Sequence, residues 1–347
     1  MSVLSNASHD PPRRWAQLVD ELRLDSIHGA SWLARRAAGI LAECADEESA
    51  RISAQRNLLT DTTTASESNG LADLSALAWA MVWARPSMTA IANTVADIWR
   101  KSQIIAKGNA ESGEIVEALG RLSAEATRQR ERWADVVAEL SRRIRPLLNE
   151  PVFTLSRSGS VEYALIAAAR DQASMAPLDV IIAESRPGGE GIALAQSLAA
   201  ARARVTIVTD SAVGAGMARA RTLLLGADSV RSDGALVNKV GSYPAALVAT
   251  DLGIPVYALC ELLKITPPSY PLTLERTLGS DRDEWREGDW LFDVTPGRLI
   301  TAIVTEEGAL SQDEIARSAA DAEVALELLK EFAEQARVQG PGPDHQS

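Results

Sequence analysis

The stretch that decides the fold is VFTLSRSGSVEYALIAAARDQASMAPLDVIIAESRPGGEGIALAQSLAAARARVTIVT, residues 152–209. Three short runs in it, Val152–Leu155, Asp179–Ala183 and Arg204–Thr209, are apolar and β-branched. Between them, Ser160–Asp171 and Gly189–Ala201 carry helical periodicity. Continuous apolar strands joined by crossover helices predict a parallel sheet covered on both faces. The pattern continues with strands Thr222–Gly226 and Val256–Ala258 and helices Ala212–Ala220 and Tyr243–Leu252. A last strand near Thr301–Val304 precedes a charged helix from Gln312 to about Ala336, which would cap this domain.

On the N-terminal side the texture is different. Residues 12–149 are rich in Ala, Leu, Arg and Glu, with apolar residues at helical spacing (Leu33, Ala37, Ile40, Leu41) and no strand signal. Turn signals fall near Asp25–Gly29, Ser66–Gly70, Pro86–Ser87 and Gly108–Gly113, and Gly113–Leu148 reads as one long helix ending at Pro146. Six of the eight tryptophans lie here (Trp15, Trp32, Trp79, Trp83, Trp99, Trp133), and helical spacing such as Trp79–Trp83 marks core or interface residues rather than ligand-stacking ones. The expected fold class is α/β: an N-terminal helical domain (12–149) followed by a Rossmann-like parallel-sheet domain that binds a ligand (150–337), with flexible tails at 1–11 and 338–347.

Composition narrows the function classes. The 347 residues are 46% hydrophobic and 24% charged, ordinary for a globular protein. A net charge of -12 without a long basic run argues against direct nucleic-acid binding. No apolar stretch reaches 18 residues, so no membrane span is expected. The N-terminus lacks a signal-peptide core, and Cys44 and Cys260 suggest neither a disulfide framework nor a metal site. A reducing cytoplasm fits best, with no cofactor expected.

In parallel sheets the ligand sits beyond the carboxyl ends of the strands, so the following residues carry the chemistry. Ser156-Arg157-Ser158-Gly159-Ser160 precedes a helix and suits a phosphate. It reads equally well as a serine cap beside a solvated arginine. Glu184-Ser185-Arg186-Pro187-Gly188-Gly189-Glu190-Gly191 offers an arginine fork and close backbone approach, or a surface loop in which Arg186 pairs with Glu184 or Glu190. Gly214-Ala215-Gly216 lacks the third glycine of a dinucleotide fingerprint and has Arg219 in its place. After Gly226-Ala227, Asp228 is a candidate acid–base group or a turn cap. Asn238 and Lys239 would open the next helix, the lysine neutralising phosphate and the amide orienting a sugar hydroxyl.

Five spaced motifs carry a family resemblance: Glu184-Ser185-Arg186-Pro187 with Glu190-Gly191, Thr209-Asp210-Ser211-Ala212, Leu225-Gly226-Ala227-Asp228, Asn238-Lys239-Val240-Gly241-Ser242-Tyr243 and Phe292-Asp293-Val294-Thr295-Pro296. In this order they resemble the family uniting the alpha, beta and delta subunits of translation initiation factor 2B with methylthioribose-1-phosphate isomerase and ribose-1,5-bisphosphate isomerase. The resemblance covers about Phe153–Leu310; the helical part matches in character only, through Ile27-His28-Gly29-Ala30 and the Ala-rich helix after it. It implies a ligand between the two domains and dimerisation through the second. In the enzyme branches a cysteine after the first strand and the aspartate of Gly-Ala-Asp share the proton transfers. Those positions match Ser156 and Asp228 here. A serine hydroxyl is a far poorer acid than a thiol of pKa about 8.5. The enzymes carry arginine where this chain has His28, and typically glutamine where it has Glu190, a residue usual in the initiation-factor branch.

Two readings follow. In the first, the chain binds a phosphorylated sugar or nucleotide, with a sensing or assembly role and a homodimer or higher homo-oligomer. In the second, it is an aldose–ketose isomerase acting on a ribose-1-phosphate-type sugar phosphate with an altered catalytic pair, Asp228 and Ser156. In both, His28, Gly29, Ala30, Arg157, Ser158, Arg186, Glu190, Asn238 and Lys239 would contact the ligand.

Overall fold

The computed structural model describes residues 10–25, 27–56, 63–102, 112–148, 150–171, 177–274, 276–281 and 286–339. Nearly all of both proposed tails, and much of the Gly108–Gly113 turn, lie outside them. Six helices come first: α1 (Ala16–Leu24), α2 (Ala30–Arg56), α3 (Thr63–Val82), α4 (Thr89–Lys101), α5 (Ser112–Glu131) and α6 (Trp133–Ile144). The described residues before Val152 contain no strand, as the periodicity implied. Two expectations fail. The Gly113–Leu148 segment is two helices, hinged at Arg132. Ser66–Gly70 lies inside α3 rather than at a turn. Gly70 is needed there because a Cβ would come 2.3 Å from the carboxylate of buried Glu48 on α2.

Then the strands alternate with helices: β1 (Val152–Leu155), α7 (Gly159–Arg170), β2 (Asp179–Ala183), α8 (Glu190–Ala200), β3 (Arg204–Val208), α9 (Val213–Met217), β4 (Thr222–Leu225). There follow β5 (Ser229–Val230), β6 (Leu236–Lys239), α10 (Ser242–Asp251), β7 (Val256–Leu259), β8 (Arg276–Asp281), β9 (Arg286–Trp290), β10 (Phe292–Thr295), β11 (Ala302–Thr305), β12 (Gly308–Leu310) and α11 (Gln312–Gln339). The main sheet runs β12-β11-β7-β4-β1-β2-β3, parallel except for β12. Strand order therefore reverses between β1 and β4, and the crevice at their carboxyl ends is the expected ligand position in such a sheet.

Asn238 and Lys239 do not open a helix. They end β6, which pairs antiparallel with β10 through Lys239↔Phe292 and Asn238↔Asp293. The helix starts at Ser242, and its first N–H groups are capped by Asp293, which accepts from Gly241 (2.8 Å) and Tyr243 (3.1 Å). Burial pushes the Asp293 carboxyl up to about 6 despite those bonds.

Packing crosses the compositional boundary twice. Val137, Leu140 and Ile144 of α6 join Val152, Val180, Ile182 and Leu224 in the core on one face of the sheet. The second half of α11, expected to cap the sheet, instead buries Leu326, Leu329 and Phe332 among α2, α3 and α4. Of the tryptophans, Trp15, Trp79 and Trp99 are buried in that helical core. Among the described residues no helix is long and apolar enough to cross a membrane.

Candidate functional site

At the β1 end the chain turns sharply. Ser156 takes φ +60°, and Ser185 at the end of β2 takes φ +67°, both in the left-handed region that residues with a Cβ rarely occupy. Ser185 holds the pair: its hydroxyl accepts the Ser156 N–H at 2.7 Å and donates to the Ala183 carbonyl at 3.0 Å. Asp210 accepts from the backbone N–H groups of Ser185 (2.8 Å) and Arg186 (2.7 Å), so the Thr209-Asp210-Ser211 motif braces the arginine loop. Non-glycine strain of this kind clusters where a loop is held for function.

Ser158 is the N-cap of α7, yet its side chain makes no capping bond and its buried hydroxyl has no protein hydrogen-bond partner. It lies over Gly226 of the β4 loop. A Cβ on Gly226 would come 2.3 Å from the Ser158 Cβ, and the next neighbour is Asn238 Oδ1 at 3.8 Å. The structure thus brings Ser158, Gly226 and Asn238 together at the switch point. Asn238 donates to the Ser242 hydroxyl (2.9 Å), which in turn donates to the Lys239 carbonyl (2.7 Å). Asp228, half-buried, begins the β5–β6 hairpin by donating its N–H to the Val237 carbonyl at 2.9 Å.

Each cation of the site already faces a carboxylate. Lys239, buried, donates to Glu190 at 2.6 Å. Arg157 makes a two-pronged contact with Glu162 at 2.9 and 3.0 Å. Arg186 is exposed and lies 3.7 Å from Glu184. The solvated-arginine and surface-loop alternatives of the sequence describe these two arginines as they stand.

The helical side contributes the loop before α2. His28 bonds through Nδ1 to Asp25 (2.7 Å) and stacks on Trp32 at 3.7 Å between ring centroids. Burial raises the Asp25 carboxyl, but the hydrogen bonds from His28 and Ile27 outweigh it and its pKa is lowered. Gly29 faces open space, and Ala30 is buried at the first turn of α2. Two buried nodes tie this side to the sheet. The Thr89 N–H donates to the hydroxyl of Ser229, the neighbour of Asp228, at 3.0 Å; the Thr89 and Ser229 hydroxyls lie 2.7 Å apart, and Ser229 donates on to the Ser87 carbonyl at 2.9 Å. Ser31, the neighbour of Ala30, donates to Glu261 at 2.8 Å, and so does Ser160 of α7 at 2.8 Å. The other Glu261 oxygen lies 3.0 Å from Lys264. Burial alone would raise the Glu261 carboxyl; the charge of Lys264 and the hydrogen bonds hold it at about 2.

Three groups at this cleft escape the sequence reading. Glu261 and Lys264 follow β7, whose strand end carries no glycine-rich or serine-rich motif to mark it. Arg85, buried, donates to the Asp25 carbonyl from an Ala-Arg-Pro-Ser segment read only as a turn. A charged residue beside a turn proline in an otherwise apolar segment is the signal that points to it.

A model of the initiation factor 2 subunit family matches residues 26–312. A Pyrococcus abyssi protein named as translation initiation factor eIF-2B subunit 2-like is 29% identical over 301 residues, spanning 86% of this chain and 96% of that protein. A methylthioribose-1-phosphate isomerase of Albidiferax ferrireducens is 32% identical over 39% of this chain and 43% of its own length. A ribose 1,5-bisphosphate isomerase of Haloterrigena turkmenica is 30% identical over 38% of this chain and 46% of its own. Among solved structures, the Pyrococcus horikoshii translation initiation factor eIF-2B superimposes with a TM-score of 0.68 at 25% identity, covering 87% of this chain and 99% of that one. The tetrameric eIF2B-beta2-delta2 complex from C. thermophilum shares the fold at 18% identity, with a TM-score of 0.62 over 90% of this chain and 96% of that one.

Proposed function

The chain belongs to the initiation factor 2 subunit family, and from that premise we propose that it binds a small phosphorylated sugar or nucleotide at the β1–β4 switch point, in a sensing or assembly role. One observation carries the reading: the Ser158 hydroxyl at the start of α7 is buried without a protein partner, packed so closely on Gly226 that only a glycine fits beneath it. Buried hydroxyls are ordinarily hydrogen-bonded, so this one is an available donor for a ligand oxygen. The N–H groups of α7 add the dipole that favours an anion. Lys239 and Asn238 reach the same place from β6, and Arg157 and Arg186 can swing in from their carboxylates. His28, Gly29 and Ala30 would close the site from the helical side.

Binding without efficient turnover is the reading we favour. Aldose–ketose isomerisation needs one group to take a proton from carbon and another to serve the oxygens. Asp228 can serve as a carboxylate base, but Ser156 offers an alcohol where a thiol is wanted, and its pKa lies far above neutrality. The isomerase reading keeps one supporting observation: Asp228 is close enough to buried Lys264 for their charges to interact. We also propose a homodimer or larger homo-oligomer through the sheet-bearing part of the chain.

The test is a thermal-shift series with ribose 1,5-bisphosphate, methylthioribose 1-phosphate and nucleoside monophosphates, followed by product analysis. Stabilisation by at least one of them without product supports the binding reading. Product formation that Asp228→Asn abolishes would establish the isomerase instead, and no stabilisation at millimolar concentration would overturn both.

A further inference from the structure

A second cleft lies behind Glu261, away from the β1–β4 crevice. Its volume is about 410 Å³, within the range of small-molecule sites, and it is enclosed by α2, α4, the α5–α6 junction, α11 and the loops after β7 and β11. None of the residues assigned above to the phosphate site lines it apart from the structural Ser31–Glu261 node.

Three side-chain polar atoms on its wall are buried with no protein hydrogen-bond partner: Thr94 Oγ1, Gln129 Oε1 and Trp133 Nε1. Thr94 is only 2% exposed. An acceptor, a donor and a hydroxyl left without partners on the residues around one cavity are a concentration that native interiors avoid. Several charges on the wall have no ion-pair partner, although Glu306 accepts the Leu262 N–H at 3.0 Å. The Arg35 guanidinium lies 3.9 Å over the Trp133 ring and its one hydrogen bond, to the Ser31 carbonyl, is long at 3.4 Å. The same wall carries Glu306, Glu307 and Asp321, the last two exposed to solvent. Among the described residues none of these four forms an ion pair, whereas Asp97, Arg100 and Lys101 at the rim pair with one another. The rest of the wall is apolar, including Ala34, Ala38, Val136 and Ala325.

We infer that this cleft binds a small zwitterion with an apolar body, an amino acid with a large hydrocarbon side chain. Its carboxylate would meet Arg35 and the Trp133 N–H, its ammonium Gln129 and the acidic side, and its side chain the alanines and Val136. A plain anion would face three carboxylates, a plain amine would face Arg35, and a neutral molecule would leave Arg35 without a counter-charge; a zwitterion answers both sides. Because Ser31 and Glu261 belong to this wall and also hold Ser160 at the start of α7, occupancy here touches the frame of the first site.

The test is calorimetric titration of the full chain with L-leucine, L-methionine and L-phenylalanine, alongside 4-methylpentanoate and 3-methylbutylamine. At least one amino acid should bind, and the acid and the amine should each bind about tenfold or more weakly, since each lacks one charge-assisted contact. Arg35→Met should weaken the amino acid about tenfold or more, and Trp133→Phe, which keeps the ring and removes the N–H, should weaken it by less. Ribose 1,5-bisphosphate added beforehand should leave a site for the amino acid, which separates this inference from the fate of the first. No binding by any of the three amino acids, binding by the amine or acid alone of equal strength, or affinity unchanged in both variants overturns it.

Discussion

Glu261 is the group whose removal tests how the two parts of the chain are held together. It is buried, accepts from Ser31 on the helical side and from Ser160 on the sheet side at 2.8 Å each, and pairs with buried Lys264. Glu261→Gln keeps the shape and an acceptor oxygen but strands the Lys264 ammonium in the interior. Breaking a buried pair from one side costs roughly 3–5 kcal/mol. A second route gives a similar size. A carboxyl held at about 2 instead of 4.5 is worth about 3 kcal/mol at neutral pH. Because the folded-state pKa is depressed, that stability is present above pH 4.5 and lost as pH falls through about 2. The assay is urea denaturation of wild type and Glu261→Gln at pH 7, 5, 4 and 3. The difference should be about 3–5 kcal/mol at pH 7 and about 2 kcal/mol smaller at pH 3. Adding Lys264→Met to Glu261→Gln should recover part of the loss, since the stranded charge goes with it. A loss under about 1 kcal/mol at pH 7, or one that stays flat with pH, would refute the reasoning.

Other changes separate binding from stability. Ser158→Ala should leave urea stability within about 0.5 kcal/mol of wild type, because the hydroxyl has no protein partner, while weakening the best sugar phosphate about tenfold by calorimetry. Glu190→Gln removes the carboxylate 2.6 Å from Lys239 and should tighten that ligand about tenfold, with a measurable loss of stability; weaker binding would mean that Lys239 does not meet the phosphate. Asp293 is the converse of Glu261. Its carboxyl is raised from 3.8 to about 6, so its contribution is greatest below pH 4 and is lost as pH rises through 6. The stability of wild type relative to Asp293→Asn should therefore fall by up to about 3 kcal/mol between pH 4 and pH 7 in urea melts.

Local periodicity made the sheet legible: β1, β2, β4, β7 and β11 are short, mostly apolar runs buried along nearly their whole length, and the edge strand β3 is β-branched though part-exposed. It failed where the chain pairs at long range with short, mixed strands. Leu236-Val237-Asn238-Lys239 has two apolar and two polar residues, and pairing makes it a strand: with the two-residue β5 on one side and with Phe292–Thr295, more than 50 residues on, along its whole length on the other. Its two polar residues therefore arrive at the ligand crevice from a β-hairpin, not from a helix N-terminus, and that terminus is already filled by Asp293. Ser66–Gly70 misled for a related reason: a serine- and glycine-containing run reads as a turn unless Glu48 on another helix is known to press against it. The strand-end rule singled out Ser156, Ser158, Asp228 and Glu190, all of which lie in the segments that follow β1, β2 and β4. It missed Glu261, which sits after β7 in the same layer, because the value of that glutamate lies in Ser31 and Ser160, 230 and 101 residues away.

The pairing of the cations bears on what the crevice can select. Lys239 with Glu190, Arg157 with Glu162 and Arg186 with Glu184 are each neutralised within the chain. An incoming phosphate does not fill an electrostatic hole; it must displace carboxylates that already compensate those charges, and only the surplus becomes affinity. The exposed Arg186 contact, long at 3.7 Å, yields readily, and the bidentate Arg157 contact less so. The Lys239–Glu190 contact is short and largely buried, so it resists most, and a ligand that leaves it intact can use only the Ser158 hydroxyl, the α7 N–H groups and the arginines. That arrangement favours recognition by the chain's preformed N–H and O–H donors over capture by charge.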